Sequence, residues 1–88
     1  MRQLVLPKRF KKNLRDFLKK HPELKIVFSK ALNILQADPK DSRLKLHKLT
    51  GKLAGCFSIS IAYEYRLVLY FEKEFIFLLA IGTHDEVY

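Results

Sequence analysis

The period of the hydrophobic pattern changes once along this chain, from helical in the N-terminal part to strand-like in the C-terminal part. Early apolar residues recur three and four positions apart, which places them on one face of a helix. From residue 57 onward, apolar residues either alternate with polar ones or form an unbroken run, as in strands of a sheet. Because the two periods occupy separate parts of the chain, the pattern predicts an α+β fold.

Two helices are predicted before residue 38. The first has one apolar face and ends at His21, since a residue before proline is disfavoured in the helical region; that face consists of Phe10, Leu14, Phe17 and Leu18. Pro22 suits the first turn of the second helix. The apolar stripe of the second helix is wide and consists of Leu24, Val27, Phe28, Ala31, Leu32 and Leu35. We interpret His21 as a structural residue of the helix junction.

Three strands are predicted after residue 56, and a short β-type segment at residues 3–6 precedes the helices. The first of the three alternates Phe57, Ile59 and Ile61 with small or hydroxylated residues. In the next, Tyr65, Leu67, Leu69 and Phe71 share one face, and Arg66, Val68 and Tyr70 share the other. The last is residues 75–81. The predicted order is β-α-α-β-β-β, with an antiparallel meander covered on one face by both helices, in a single domain over residues 1–88.

The positive charge of the chain, formally +8, is concentrated in its first part. Residues 1–52 carry 15 Lys/Arg and four Asp/Glu, whereas residues 53–88 carry two and five. Such asymmetry suggests an anionic partner, most often a nucleic acid. The lysines of the first helix, Lys11, Lys12, Lys19 and Lys20, are better explained as a solvated helix face. A second basic cluster lies beside His47 in the long polar connection of residues 38–53, and consists of Arg43, Lys45, Lys48 and Lys52.

Other residue types limit the classes of protein. A lone cysteine, Cys56, excludes an intramolecular disulfide framework and is typical of a reducing cytosol. The first residues lack the apolar stretch of a signal peptide, and the apolar runs are too short to span a membrane. The three histidines are far apart in sequence, so we expect neither a metal nor another cofactor. A cytoplasmic protein without a membrane partner is therefore expected.

Three side chains are candidates for catalysis, namely His47, Arg66 and His84. His84 follows the last strand directly, and histidine is the side chain whose unperturbed pKa permits proton transfer near neutral pH. Two imidazoles and a guanidinium suit metal-free cleavage of RNA, in which one imidazole activates the ribose 2′-OH and the other protonates the leaving 5′-oxygen. The guanidinium stabilises the phosphoryl charge. Sequence separation by itself does not show that the three side chains meet.

Three stretches in order resemble the RelE/ParE toxin superfamily: LTGKLAGCFSI at residues 49–59, YRLVLY at 65–70 and IGTH at 81–84. The C-terminal stretch GTHDEVY is most similar to the YafQ-type branch of ribosome-dependent mRNA interferases. The resemblance covers nearly the whole chain and includes the two helices before the meander. It implies the toxin of a type II toxin–antitoxin system, an endoribonuclease that cleaves mRNA on the ribosome.

The resemblance also implies roles for single residues. His47 occupies the position of the general base, Arg66 that of the phosphate-stabilising arginine, and His84 that of the general acid. Tyr88 matches an aromatic position that stacks on or orients an mRNA base, and the basic cluster with Arg43 would hold RNA phosphates. Two departures are Ser58 and Ser60, where many active relatives carry a further basic residue or histidine. Tyr88 as part of the core, and Arg66 paired with Glu64 or Glu72, remain alternatives.

The implied partners are a cognate antitoxin and mRNA on the ribosome, and the toxin–antitoxin complex is expected to contact operator DNA through the antitoxin. A function of another class stays open. It is a ParE-like toxin that inhibits DNA gyrase by binding, or a relative that has lost catalysis. The pair His47 and His84 favours the enzyme, since the gyrase branch generally lacks it.

Overall fold

A computed structural model describes residues 2–88, which form a five-stranded sheet with helices packed against it. The strands, in chain order, are β1 (Gln3–Val5), β2 (His47–Lys48), β3 (Phe57–Ala62), β4 (Tyr65–Glu72) and β5 (Phe75–Thr83). The helices are α1 (Lys8–Lys20), α2 (Lys25–Ala37) and a single C-terminal turn, α3 (His84–Val87). The α+β class is confirmed. The spatial order of the strands is β1-β5-β4-β3-β2.

The predicted antiparallel meander is confirmed as β3, β4 and β5, but the complete sheet is mixed. Gln3 of β1 pairs with Phe75 of β5, and the two strands run parallel. Both helices lie between these strands in sequence, and a connection of that length permits parallel pairing. The short strand β2 extends the other edge, where it pairs with β3 in antiparallel orientation. A description of the sheet as a purely antiparallel meander was therefore incomplete.

Both helices bury part of their predicted apolar faces. Phe10 and Phe17 of α1 are buried, and α1 ends at Lys20 with His21 as its C-cap. In α2 the buried residues are Phe28, Ala31 and Leu35. The prediction was wrong for Val27, which is 39% exposed. Val27 lies at the edge of the buried row, because consecutive helix residues are rotated by about 100° and Val27 directly precedes Phe28. Pro22 lies in a separate 3₁₀ turn, Pro22–Leu24.

The two faces of the sheet differ in what covers them. Ile59, Ile61, Leu67 and Leu69 belong to the core formed with the helices. The residues that alternate with them point to the opposite face, because side chains along a strand alternate in direction. On β3 and β4 that opposite face carries Ser58, Ser60 and Arg66, and the meander therefore presents polar groups away from the helices.

The connection between α2 and β3 is ordered by two buried leucines. Leu44 and Leu49 are 1% and 7% exposed, and 3₁₀ turns lie at Ser42–Leu44 and Gly51–Leu53. Gly55 has φ of 92°, a left-handed conformation that favours glycine just before β3. The two 3₁₀ turns and the two buried leucines together hold β2 against β3. Within residues 2–88, the helices are all too short or too polar to cross a membrane.

Candidate functional site

A groove of about 930 Å³ at one end of the sheet contains six of the eight site residues predicted from the sequence. These six are His47, Lys48, Lys52, Arg66, His84 and Tyr88. They come from β2, the turn after it, β4 and the C-terminal turn. The groove thus brings both candidate imidazoles and the candidate guanidinium to one surface.

Strand pairing explains how the sheet residues meet. His47 pairs with Ser58 across β2 and β3, and Ser60 pairs with Arg66 across β3 and β4. Directly paired residues in antiparallel strands project from the same face. Since Ser58 and Ser60 are two positions apart on β3, they also share that face. His47 and Arg66 therefore both project from the helix-free face, in neighbouring cross-strand pairs.

Arg66 is half-buried, and its guanidinium is held by a neutral partner. Its Nη2 donates a hydrogen bond of 2.9 Å to Ser58 Oγ. Within residues 2–88 it forms no ion pair, so the alternative pairing with Glu64 or Glu72 is not observed. Its positive charge is consequently available to a ligand in the groove.

Ser58 is a residue that sequence reasoning did not assign to the site. It is fully buried, with an exposed fraction of 0%. Tyr88 Oη donates a hydrogen bond of 2.6 Å to the same oxygen that accepts from Arg66. In the sequence Ser58 was visible as a departure from the family pattern, at an alternating position of a half-buried strand. Tyr88 as a whole residue is 42% exposed, which does not fit a residue that only caps the core.

The C-terminal turn is held in place by a capping box. Thr83 Oγ1 accepts from Glu86 N at 3.3 Å, and Glu86 Oε1 accepts from Thr83 N at 2.8 Å. The hydrogen bond from the Thr83 backbone lowers the pKa of Glu86. Gly82 allows this approach, because a Cβ there would lie 3.1 Å from the Cβ of Glu86. The close packing explains why a glycine precedes the turn.

His84 is exposed and is in contact with two residues of the C-terminal segment, Asp85 and Tyr88. Its Nδ1 lies 3.5 Å from Asp85 Oδ1. Its ring meets the Tyr88 ring edge-on, with centroids 4.2 Å apart and an interplanar angle of 80°. The imidazole is thus accessible from the groove while its ring is in contact with the aromatic side chain that reaches Ser58.

Asn13 of α1 supports the strand that leads to His84, and sequence reasoning missed it as well. Its Oδ1 accepts from Ile81 N at 2.8 Å, and its Nδ2 donates to Ile81 O at 3.2 Å. β1 pairs with β5 at residues 75–77, so the side-chain amide takes the place of a neighbouring strand farther along. The only sequence signal was a polar residue next to the apolar face of α1.

Two predicted phosphate ligands and one histidine lie outside the groove. Arg43 forms a bidentate ion pair with Asp41, at 2.8 and 3.0 Å, and this hydrogen bonding lowers the pKa of Asp41 to about 2. Lys45 is exposed in a left-handed conformation with φ of 51°. The His21 ring packs between those of Phe17 and Tyr65 in tilted contacts, with centroids 4.9 and 4.8 Å apart, as expected for a structural residue of the helix junction. Across residues 2–88, no three His, Cys, Asp or Glu side chains are grouped so that they could hold a metal.

Comparison with known proteins identifies the kind of domain. A family model described as "Bacterial toxin of type II toxin-antitoxin system, YafQ" matches residues 2–88. A metal-bound toxin from Helicobacter pylori is 26% identical, with a TM-score of 0.82 over 100% of both chains. YafQ from E. coli is 14% identical, with a TM-score of 0.83 over 100% of this chain and 99% of its own.

A toxin with a partner in its structure also has this fold. The YoeB–YefM toxin–antitoxin complex from Staphylococcus aureus, a heterotetramer, contains a chain that is 18% identical. The alignment covers 96% of this chain and 98% of that one, with a TM-score of 0.76. No curated protein sequence is significantly similar to the chain.

Proposed function

Because this chain belongs to the YafQ family of toxins from bacterial type II toxin–antitoxin systems, we propose that it is an endoribonuclease that cleaves mRNA on the ribosome. The observation that supports this most is the groove shared by His47, Arg66 and His84. Two proton-transfer groups and a cation on one surface are what cleavage by the ribose 2′-OH requires.

In the proposed reaction, His47 accepts the proton of the 2′-OH while the 2′-oxygen attacks the adjacent phosphorus. The bond from phosphorus to the 5′-oxygen breaks, and His84 donates a proton to that oxygen as it leaves. Arg66 donates hydrogen bonds to the phosphoryl oxygens, whose negative charge increases in the transition state. The products are a 2′,3′-cyclic phosphate and a 5′-OH. The need for a 2′-OH restricts the substrate to RNA.

Further contacts with RNA are proposed for residues that line the same groove. Lys48 and Lys52 line the groove, and their proposed role is to bind phosphates beside the cleaved bond. Tyr88 offers an exposed ring on which a base can stack. Phosphate binding by Arg43 and Lys45 stays a prediction. Arg43 would have to exchange its ion pair with Asp41 for a phosphate.

A cognate antitoxin is the proposed protein partner. Toxin and antitoxin form a heterotetramer in the YoeB–YefM complex. The formal charge of +8 on this chain suits an acidic segment that becomes ordered on binding. Through that antitoxin, the complex is proposed to bind operator DNA.

The central test is cleavage of mRNA on programmed ribosomes by the purified protein and by His84→Ala. Removal of a positioned general acid is expected to reduce cleavage by about 10²–10⁴-fold. His21→Gln is the matched control, since His21 is a histidine outside the groove, and it is expected to retain cleavage when folded. Undiminished cleavage by folded His84→Ala would remove His84 from the mechanism.

The chemistry of the product ends provides a second test. A minimal RNA with its own 2′-OH is incubated with the protein and a chelator, because ribosomes themselves need magnesium. A 2′,3′-cyclic phosphate or 3′-phosphate together with a 5′-OH is expected. A 5′-phosphate would indicate attack by water and would contradict the roles of His47 and His84. DNA damage with intact translation would instead favour the alternative, a ParE-like inhibitor of gyrase that acts by binding.

A further inference from the structure

The hydroxyl of Ser58 connects the sheet to the C-terminal turn. Arg66 Nη2 and Tyr88 Oη both donate to Ser58 Oγ, at 2.9 and 2.6 Å. Since Ser58 is 0% exposed, bulk water does not compete for this oxygen. A serine oxygen has two lone pairs, and the two donors use both. The reaction proposed above gives Ser58 no role.

The C-terminal turn needs such a connection because α3 contains four residues. A helix of that length is not stable by itself, since nucleation fixes several residues for very few hydrogen bonds. The capping box holds its beginning, at Thr83 and Glu86, and the bond to Ser58 holds Tyr88, which follows its end. The His84 ring lies against the Tyr88 ring, so restraint of Tyr88 also restrains His84.

The same oxygen restrains Arg66. A free arginine side chain has many rotamers. All except the productive one must be excluded before the guanidinium can bind a phosphate in a single geometry. The bond from Nη2 to Ser58 selects a subset of them and leaves the other N–H groups of Arg66 free to donate. Ser58 thereby sets the distance between a charged group on β4 and an aromatic ring on the C-terminal turn.

We propose that Ser58 is a positioning residue for RNA cleavage, which holds Arg66 and Tyr88 in one fixed arrangement through its buried hydroxyl. This rests on the proposed function, because Arg66 and Tyr88 are the groups assigned there to the phosphate and the base. Ser58 contacts no reacting atom itself. Its loss leaves all catalytic groups present but less often correctly placed, which lowers kcat more than it raises KM.

The test compares Ser58→Ala with Ser60→Ala, a matched control on the same strand and face. The Ser60 hydroxyl bonds to Ala62 O instead, at 3.1 Å. Ser58→Ala is expected to reduce kcat by about 10–100-fold, and Ser60→Ala to leave it unchanged. Ser58→Thr keeps a hydroxyl and is expected to recover part of the loss. An unchanged kcat in folded Ser58→Ala overturns the proposal.

A double-mutant cycle with Tyr88→Phe separates positioning from a general effect on folding. Tyr88→Phe removes the same hydrogen bond from its other end and keeps the ring. If both residues act through this bond, the double variant is about as slow as the slower single variant. Additive losses overturn the proposal. Should Ser58→Ala fail to fold, an unchanged kcat in Tyr88→Phe is sufficient to overturn it.

An NMR measurement distinguishes failure of this proposal from failure of the proposed function. The ring protons of His84 sense the Tyr88 ring at 4.2 Å. Their chemical shifts are expected to move toward free-histidine values in Ser58→Ala and to stay in Ser60→Ala. If the wild-type protein does not cleave RNA, the proposed function is wrong, and these shifts still decide whether Ser58 positions the turn. Unchanged shifts in Ser58→Ala overturn the positioning role.

Discussion

Replacement of Asn13 by alanine is expected to destabilise the protein although Asn13 lies outside the groove. The substitution removes both hydrogen bonds to the backbone of Ile81, at 2.8 and 3.2 Å. Ile81 is 3% exposed, so its N–H and C=O would lose their partners in a mostly buried place. Each unsatisfied buried group costs about 1–3 kcal/mol. A neighbouring cavity of about 510 Å³, lined by Asn13 and Ile81, admits water that recovers part of the loss.

The net loss is therefore expected near about 2–3 kcal/mol. In a domain of this size that corresponds to a fall in Tm of about 10–20 °C. Thermal and urea unfolding measure it. Asn33→Ala is the matched control, since Asn33 is exposed on α2, and it is expected to be neutral or slightly stabilising because alanine is the better helix former.

Asn13→Asp separates the two hydrogen bonds. Aspartate keeps an acceptor for Ile81 N but cannot donate to Ile81 O while ionised, so an intermediate or larger loss of stability is expected. The reasoning is refuted if Asn13→Ala unfolds within about 0.5 kcal/mol of Asn33→Ala. The side-chain amide would then contribute nothing beyond what water supplies to the free edge of β5.

Three further outcomes are expected. Arg66→Ala should abolish most cleavage and Arg66→Lys should restore only part, because lysine keeps the charge without the planar fork; full activity of the lysine variant would contradict bidentate phosphate binding. The rate should follow a bell-shaped pH profile, since His47 must be neutral and His84 charged, and His47→Gln should remove the acidic limb; an intact acidic limb would place the base elsewhere. The pKa of Glu86 is lower in the folded protein than in the unfolded chain. The ionised carboxylate therefore stabilises the fold above the unfolded-state pKa, and this stabilisation is lost as the pH falls through the folded-state pKa. The protection of the Thr83 N–H against hydrogen exchange should therefore fall in that acidic window. Glu86→Gln, which preserves the cap, should show less of this pH dependence.

Local pattern was sufficient to predict most elements of the fold. The helical spacing of Phe10 and Phe17 identified α1, and Pro22 marked its end, since both signals act within a few residues. The alternation in β3 and β4 identified their two faces correctly. The prediction that Val27 is buried failed. The apolar stripe of α2 is wider than its contact with the sheet, and the pattern does not show which edge of the stripe is buried.

The pairing of β1 and the existence of β2 depended on tertiary structure. The three residues Gln3–Val5 are too few to indicate which strand they pair with. Their parallel contact with β5 exists only after both helices have packed. The two residues of β2 are too few for a periodic signal. Yet β2 places His47 opposite Ser58, so an element that is invisible in the sequence determines the position of the predicted general base.

For the site, the sequence by itself determined which chemical groups are present: two imidazoles, a guanidinium and a terminal phenol, in an order that resembles one toxin family. Tertiary structure decided which of them share a groove, and it left Arg43 outside that groove, paired with Asp41. It also decided which groups Asn13 and Ser58 bond to. The hydrogen bonds of both join positions far apart in the chain, since Asn13 and Ile81 are separated by 68 positions and Ser58 and Tyr88 by 30. Such pairs have no local signature, because their partners are set by the packing of a helix on a strand edge and of a terminal turn on the sheet.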